Sequence, residues 1–293
     1  MKIQEGCMPF LGFKTYYRIA GECTGNRKPL LLLHGGPGST HNYFEVLDCL
    51  AEEGRAIISY DQIGCGRSFV EGHEELFCQE TWMQELDALI EFLHLDHYHL
   101  LGQSWGGMLA IAHAIEEKPE GLSSLILSST LSSSRLWAKE QHRMIRYMSR
   151  EDQDAIREAE ETGDFSSEAY LKANEHFMEL HCAGPYDSTS PECLTREKKA
   201  GALSYLHAWG PNEYNPTGTL KDFDYTDRLK EIRVPSLICS GTDDLCTPLV
   251  AKTMYDRIPD SQWQLFPYAR HMCFVDCHEQ YCRILNKWMC EHD

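Results

Sequence analysis

Basic residues are scarce in this chain: 27 Lys and Arg stand against 45 Asp and Glu, a formal charge of −18 over 293 residues. Nucleic acid and anionic membrane surfaces demand Lys/Arg patches, so neither is expected as a partner. Long apolar runs are missing too. The opening Met1-Lys2-Ile3-Gln4-Glu5-Gly6 has no apolar core of signal-peptide length, and no later run approaches the roughly 18 residues of a membrane span. The expectation is a cytoplasmic protein. Repeats and low-complexity tracts are absent. The 13 cysteines are an odd number spread from Cys7 to Cys290, and Cys273, Cys277 and His278 find no second cysteine pair at zinc-like spacing. Free thiols in a reducing compartment are therefore expected, with no metal site.

With 42% hydrophobic and 25% charged residues, the chain has the composition of a globular protein. A length near 300 buries about three quarters of the unfolded surface, enough for one large catalytic domain carrying an insertion. Short, wholly apolar runs predict strands covered on both faces: Leu30–Leu33, Ala56–Tyr60, His99–Leu101 and Leu122–Leu127, preceded by a strand at Thr15–Ala20. Trp82, Leu86, Leu89, Ile90 and Leu93 recur at helical spacing between them. This alternation indicates an α/β fold with a mostly parallel sheet.

The rhythm changes between about 130 and 220. Trp137, Met144, Ile145 and Met148 predict one helical face, and Tyr170, Phe177, Met178 and Leu180 another. Ser190-Pro191 reads as an N-cap followed by proline in a first turn. Alternation resumes with strands at Val234–Ser240 and Gln262–Phe266 and helices near 248–257 and 276–290. The expected organisation is a core of residues 1–129 and 221–293, with residues 130–220 forming a helical cap inserted after about the sixth strand.

Chemistry concentrates where strands end. The strand at His99–Leu101 runs into Gly102-Gln103-Ser104-Trp105-Gly106-Gly107 and then an apolar helix, which is G-x-S-x-G in the strand–turn–helix setting that lets Ser104 expose a nucleophilic hydroxyl. Leu33 leads into His34-Gly35-Gly36-Pro37-Gly38, where the Gly36 N–H, together with that of Trp105, is placed to form an oxyanion hole. His34 is expected to fix the loop rather than to move protons. An acid and then a histidine must follow in chain order. Asp243-Asp244 lies past one late strand and His271 past the next, and spacing alone does not separate the two aspartates.

These segments, with Asp61-Gln62-Ile63-Gly64-Cys65-Gly66-Arg67-Ser68, Gly210-Pro211-Asn212-Glu213 and Thr247-Pro248, resemble the prolyl aminopeptidases (proline iminopeptidases). Those are serine peptidases of the α/β-hydrolase fold that release an N-terminal residue, often proline. The resemblance implies nucleophile Ser104, acid Asp244, base His271, oxyanion donors Gly36 and Trp105, and an ammonium-binding Glu213. It implies no cofactor, and short peptides or aminoacyl amides with a free N-terminus as substrates. Tyr205 and Trp209 are candidate pocket walls. Relatives carry a second glutamate directly after the triad aspartate; Leu245 stands there, a departure that puts strict proline preference in question unless Asp243 compensates. The second reading is an amidase or carboxylesterase of the same fold with no need for an amine, and the third a non-catalytic binding module. The serine argues against branches that use an aspartate nucleophile in this turn.

Overall fold

Eight strands build one sheet in the order β1-β2-β4-β3-β5-β6-β7-β8, in a computed structural model that describes residues 1–293. They are β1 (Ile3–Phe10), β2 (Phe13–Ala20), β3 (Leu30–Leu33), β4 (Ile57–Tyr60), β5 (Tyr98–Gln103), β6 (Leu122–Ser128), β7 (Ser236–Gly241) and β8 (Ser261–Phe266). From β4 to β8 every pairing is parallel, while β1 and β2 add an antiparallel edge. The edge strand β1 is the one strand the sequence did not announce. It carries Gly6 and Pro9, residues tolerated at an edge, and the Tyr17 ring of β2 lies over Gly6 where a Cβ would sit. Leu11 and Gly12 close the hairpin with φ of 47° and 82°, the left-handed pair that matches strand twist.

Strand alternation divides the core into two layers. Leu31, Leu33, Leu100 and Leu127 join one cluster with helices α1 (Gln79–Phe92) and α2 (Trp105–Glu116). Leu30, Leu32, Leu101 and Ile126 join the other, with Tyr43 and Phe44 of a 3₁₀ segment (His41–Glu53). The first layer extends into the inserted region after β6, which holds α3 (Ser134–Ile145), α4 (Arg150–Thr162), α5 (Glu168–His181), α6 (Glu192–Thr195) and α7 (Ala202–Ala208). Ser133, Ser149 and Ser167 cap α3, α4 and α5, each accepting a backbone N–H three residues on. The chain ends with α8 (Pro248–Tyr255), α9 (Cys273–Asp276) and α10 (His278–Glu291).

Three local expectations for the insertion are corrected. Met148 falls beyond the end of α3, and Leu180 is 54% exposed although it shares α5 with the buried Phe177. Pro191, not Ser190, occupies the N-cap of α6; the Ser190 hydroxyl instead accepts the Asp187 N–H at 3.1 Å. In that short turn the local loop bond outcompetes the cap.

Candidate active site

Ser104 sits between β5 and α2 with φ 56° and ψ −124°, a left-handed conformation that costs a non-glycine residue of order 1–3 kcal/mol. The surroundings hold it there. Its N–H donates to Ser128 O at 3.1 Å, and its carbonyl accepts from Thr130 Oγ1 at 2.6 Å and Gly107 N at 2.9 Å. Close approach makes the flanking glycines necessary: a Cβ on Gly106 would stand 2.0 Å from Leu33 O, and one on Gly102 2.2 Å from Gly106 O. The turn thus presses α2 onto β3 while the hydroxyl stays free of any hydrogen bond inside the protein.

His271 and Asp244 come from the loops after β8 and β7. Asp244 is buried, and its Oδ1 lies 2.8 Å from His271 Nδ1. The carboxylate is held on all sides: Cys246 N donates to Oδ1 at 2.8 Å, and Ser129 Oγ and Gly241 N donate to Oδ2 at 2.6 and 3.1 Å. Four hydrogen bonds fix an anion that must face only one nitrogen of the ring. This geometry separates the two aspartates. Asp243 points outward, is exposed, and engages Thr242 rather than the histidine.

Ser104 and His271 line one cavity of about 550 Å³, together with Gly36, Tyr205 and Glu213. Glu213 is its one carboxylate and Lys198 its one lysine. Tyr205 Oη donates to Glu213 Oε1 at 2.7 Å. Burial pushes the Glu213 carboxyl above its ordinary range, while His271 and the Tyr205 hydroxyl pull the other way. Gly36 donates its N–H to no protein acceptor, and the first-turn N–H of Trp105 has no intrahelical partner, so both remain available to an incoming oxygen. His34 is buried and bound on both nitrogens, Nδ1 to Gly35 O at 2.9 Å and Nε2 to Gln62 N at 3.1 Å, as a loop-fixing residue should be.

One of the two expected pocket walls, Trp209, does not reach the cavity. Trp209 is buried edge-on against Trp137, with ring centroids 6.5 Å apart, because the cap needs that bulk in its own core. Asp243 is absent from the wall and Leu245 is packed inside the protein, so neither adds a second carboxylate. Trp137 itself is a neighbour that sequence reasoning treated only as packing. Its indole N–H donates to Glu213 O at 2.9 Å and its ring meets the His271 ring edge-on at 5.8 Å, joining anchor to imidazole. Tyr43 plays a similar part, accepting Gly35 N–H at 2.6 Å and donating to Gln103 Oε1 at 2.8 Å.

Known proteins match this chain along its whole length. The model of the α/β hydrolase fold family matches residues 28–276. A proline iminopeptidase of Clostridioides difficile is 61% identical over 293 residues, all of both chains, and one of Clostridium botulinum is 58% identical over the same length. The chain belongs to the proline iminopeptidase family. Among solved structures, the proline iminopeptidase of Mycobacterium smegmatis superposes with a TM-score of 0.88 at 29% identity, over 99% of this chain and 98% of that one. Family membership therefore rests on full-length identity, and the fold that accompanies it is the α/β hydrolase sheet described above. No helix is long and apolar enough to cross a membrane.

Proposed function

We propose that this member of the proline iminopeptidase family is a serine aminopeptidase that releases an N-terminal residue, preferentially proline, from short peptides through an acyl-enzyme. The observation that carries the reading is Glu213, the one carboxylate on the wall of the cavity that also holds Ser104 and His271. A cationic N-terminus entering that cavity finds a single opposite charge on the same wall as the nucleophile.

With the amine held there, Ser104 Oγ attacks the first carbonyl carbon as His271 takes its proton, and Asp244 stabilises the imidazolium. The tetrahedral oxyanion lies against the N–H groups of Gly36 and Trp105; one such donor is typically worth about 2.7–4 kcal/mol. The C–N bond breaks as His271 returns the proton to the leaving amine. Water, deprotonated by the same imidazole, then attacks the ester, and the free amino acid leaves with Ser104 restored. No metal or organic cofactor enters this sequence. We place the work in the cytoplasm, in keeping with thirteen unpaired thiols.

The test is hydrolysis of proline anilide with its amine free and with its amine acetylated. Free substrate should turn over, acetylation should abolish turnover, and Ser104→Ala should lower kcat by at least about 10³-fold. Equal rates on blocked and free substrates would instead identify an amidase or esterase. Near-native turnover by Ser104→Ala would remove that residue from the chemistry.

A further inference from the structure

A second cluster of reactive side chains lies away from the cavity. Cys49, in the 3₁₀ segment, meets His278 and Cys282 of α10, and none of the three lines the cavity. The two sulfurs are 3.6 Å apart, and His278 Nε2 lies 3.9 Å from each. Tetrahedral Zn²⁺, with bonds near 2.3 Å to sulfur and 2.0–2.1 Å to nitrogen, holds its ligand atoms roughly 3.5–3.8 Å from one another. The triangle therefore has almost the edge lengths of one face of a zinc tetrahedron. A disulfide would need the same sulfurs at about 2.05 Å.

Two further features suit a metal. His278 and Cys282 are spaced i, i+4, which puts both on one side of α10. His278 Nδ1 lies 3.1 Å from Phe274 O, and a carbonyl only accepts, so Nδ1 carries the proton and Nε2 is left as the nitrogen able to ligate, with Cys282 Sγ 3.7 Å from Nδ1 and 3.9 Å from Nε2. That is how the outer shell of a metal site orients a ligating imidazole. Cys49 is exposed, leaving the fourth corner to water.

We propose that Cys49, His278 and Cys282 form a surface site for a thiophilic divalent cation, Zn²⁺ by its ligand set, that fastens the 3₁₀ segment to α10. Binding exchanges two thiol protons, released to solvent, for one dication, so the two thiolates balance the metal's charge. The staple joins the segment following the His34 loop to the helix following the His271 loop. It stands independently of what the cavity hydrolyses.

The experiment titrates the full chain, stripped by chelator and reduced by a phosphine, with Co²⁺. A sulfur-to-cobalt charge-transfer band should saturate at one ion per chain and vanish on addition of Zn²⁺. Cys49→Ser and Cys282→Ser should each abolish it, while Cys7→Ser, at an exposed cysteine outside the cluster, should keep it. Zn²⁺ at about 100 times its dissociation constant should raise the unfolding midpoint by about 5 °C in the native chain and not in the two cluster variants. Absence of the band from reduced protein overturns the site, as does a band that survives both substitutions. Recovery of Cys49 and Cys282 as a disulfide, with no band after reduction, assigns the pair to redox chemistry and likewise overturns it.

Discussion

A carboxylate in a partly dry cavity is useful only if it stays charged for its ligand, and Glu213 shows how that is arranged. Burial alone favours its neutral form, while the Tyr205 hydroxyl and the nearby His271 favour the anion. A substrate ammonium would add to the second side, so the anchor is strongest when occupied. Replacing Glu213 by Gln removes the charge and preserves the shape. Hydrogen bonds to charged groups are worth about 1.5–3 kcal/mol, so kcat/KM for free-amine substrates should fall roughly 10- to 150-fold. Small neutral esters should keep their rates. Parallel losses on both substrate classes, measured side by side, would sink the anchoring role. Trp137 bears on the same point, since its indole supports Glu213 from behind while its ring edges the imidazole.

Helix α5 links the cap to both catalytic-side loops through its last carbonyls. His181 O accepts Leu245 N at 3.3 Å and His271 N at 3.0 Å, and Cys182 O accepts Met272 N at 3.3 Å. The His181 side chain adds a bond from Nδ1 to Asp243 O at 2.8 Å. His181→Ala deletes that last bond, worth about 1 kcal/mol, and the ring's packing on Phe177, with centroids 5.1 Å apart. The unfolding midpoint should therefore fall by a few degrees and kcat/KM should drop severalfold. A loss under twofold would mean the loops hold their places without the helix. None of this clamp was legible in the sequence, because it is made of backbone atoms from three distant segments. The strands β2 to β8 were legible, β3 to β7 as short runs centred on apolar residues and β2 and β8 as mixed segments bounded by turns. Helix α4 was not, since only Ile156 and Ala159 are buried and no apolar stripe marks it. The 3₁₀ segment was hidden for want of a 3.6-residue period. Ser104 and His271 could be found because each stands just past a strand, where chain order carries information, whereas Asp244 was separable from its neighbour Asp243 only through the family resemblance. The roles of Trp137 and Tyr43 could not, since they depend on contacts made across the finished fold.

Taken as one folding unit, the molecule carries buried titratable groups whose pH demands oppose each other. Desolvation lowers His34 and His99 to about 4 from 6.5. Both stay neutral in the native state while the unfolded chain binds protons below 6.5, so their contribution is lost as pH falls from there toward 4. Glu85 works on the other limb. It is buried, receives Thr15 Oγ1 at 2.5 Å and Ile63 N at 2.9 Å, and is pushed up to about 8 from 4.5, chiefly by desolvation. The native state retains a proton that the unfolded chain gives up, so the stability tied to Glu85 is complete below 4.5 and drains as pH rises toward 8. The two ranges overlap, and with two histidines against one Glu stability should peak at about pH 6.5, above which the Glu85 limb acts alone. Glu85→Gln keeps a neutral amide in place of the protonated acid and cannot titrate. Each pH unit of differential protonation is worth about 1.4 kcal/mol, or about 2–3 °C of midpoint in a chain of this size. Thermal unfolding of native and Glu85→Gln chains between about pH 5 and 7.5 should thus move in the variant's favour by that amount per unit, whatever its starting offset. Two profiles that stay parallel across this range would mean Glu85 is already ionised in the folded protein, and that the alkaline limb has another origin.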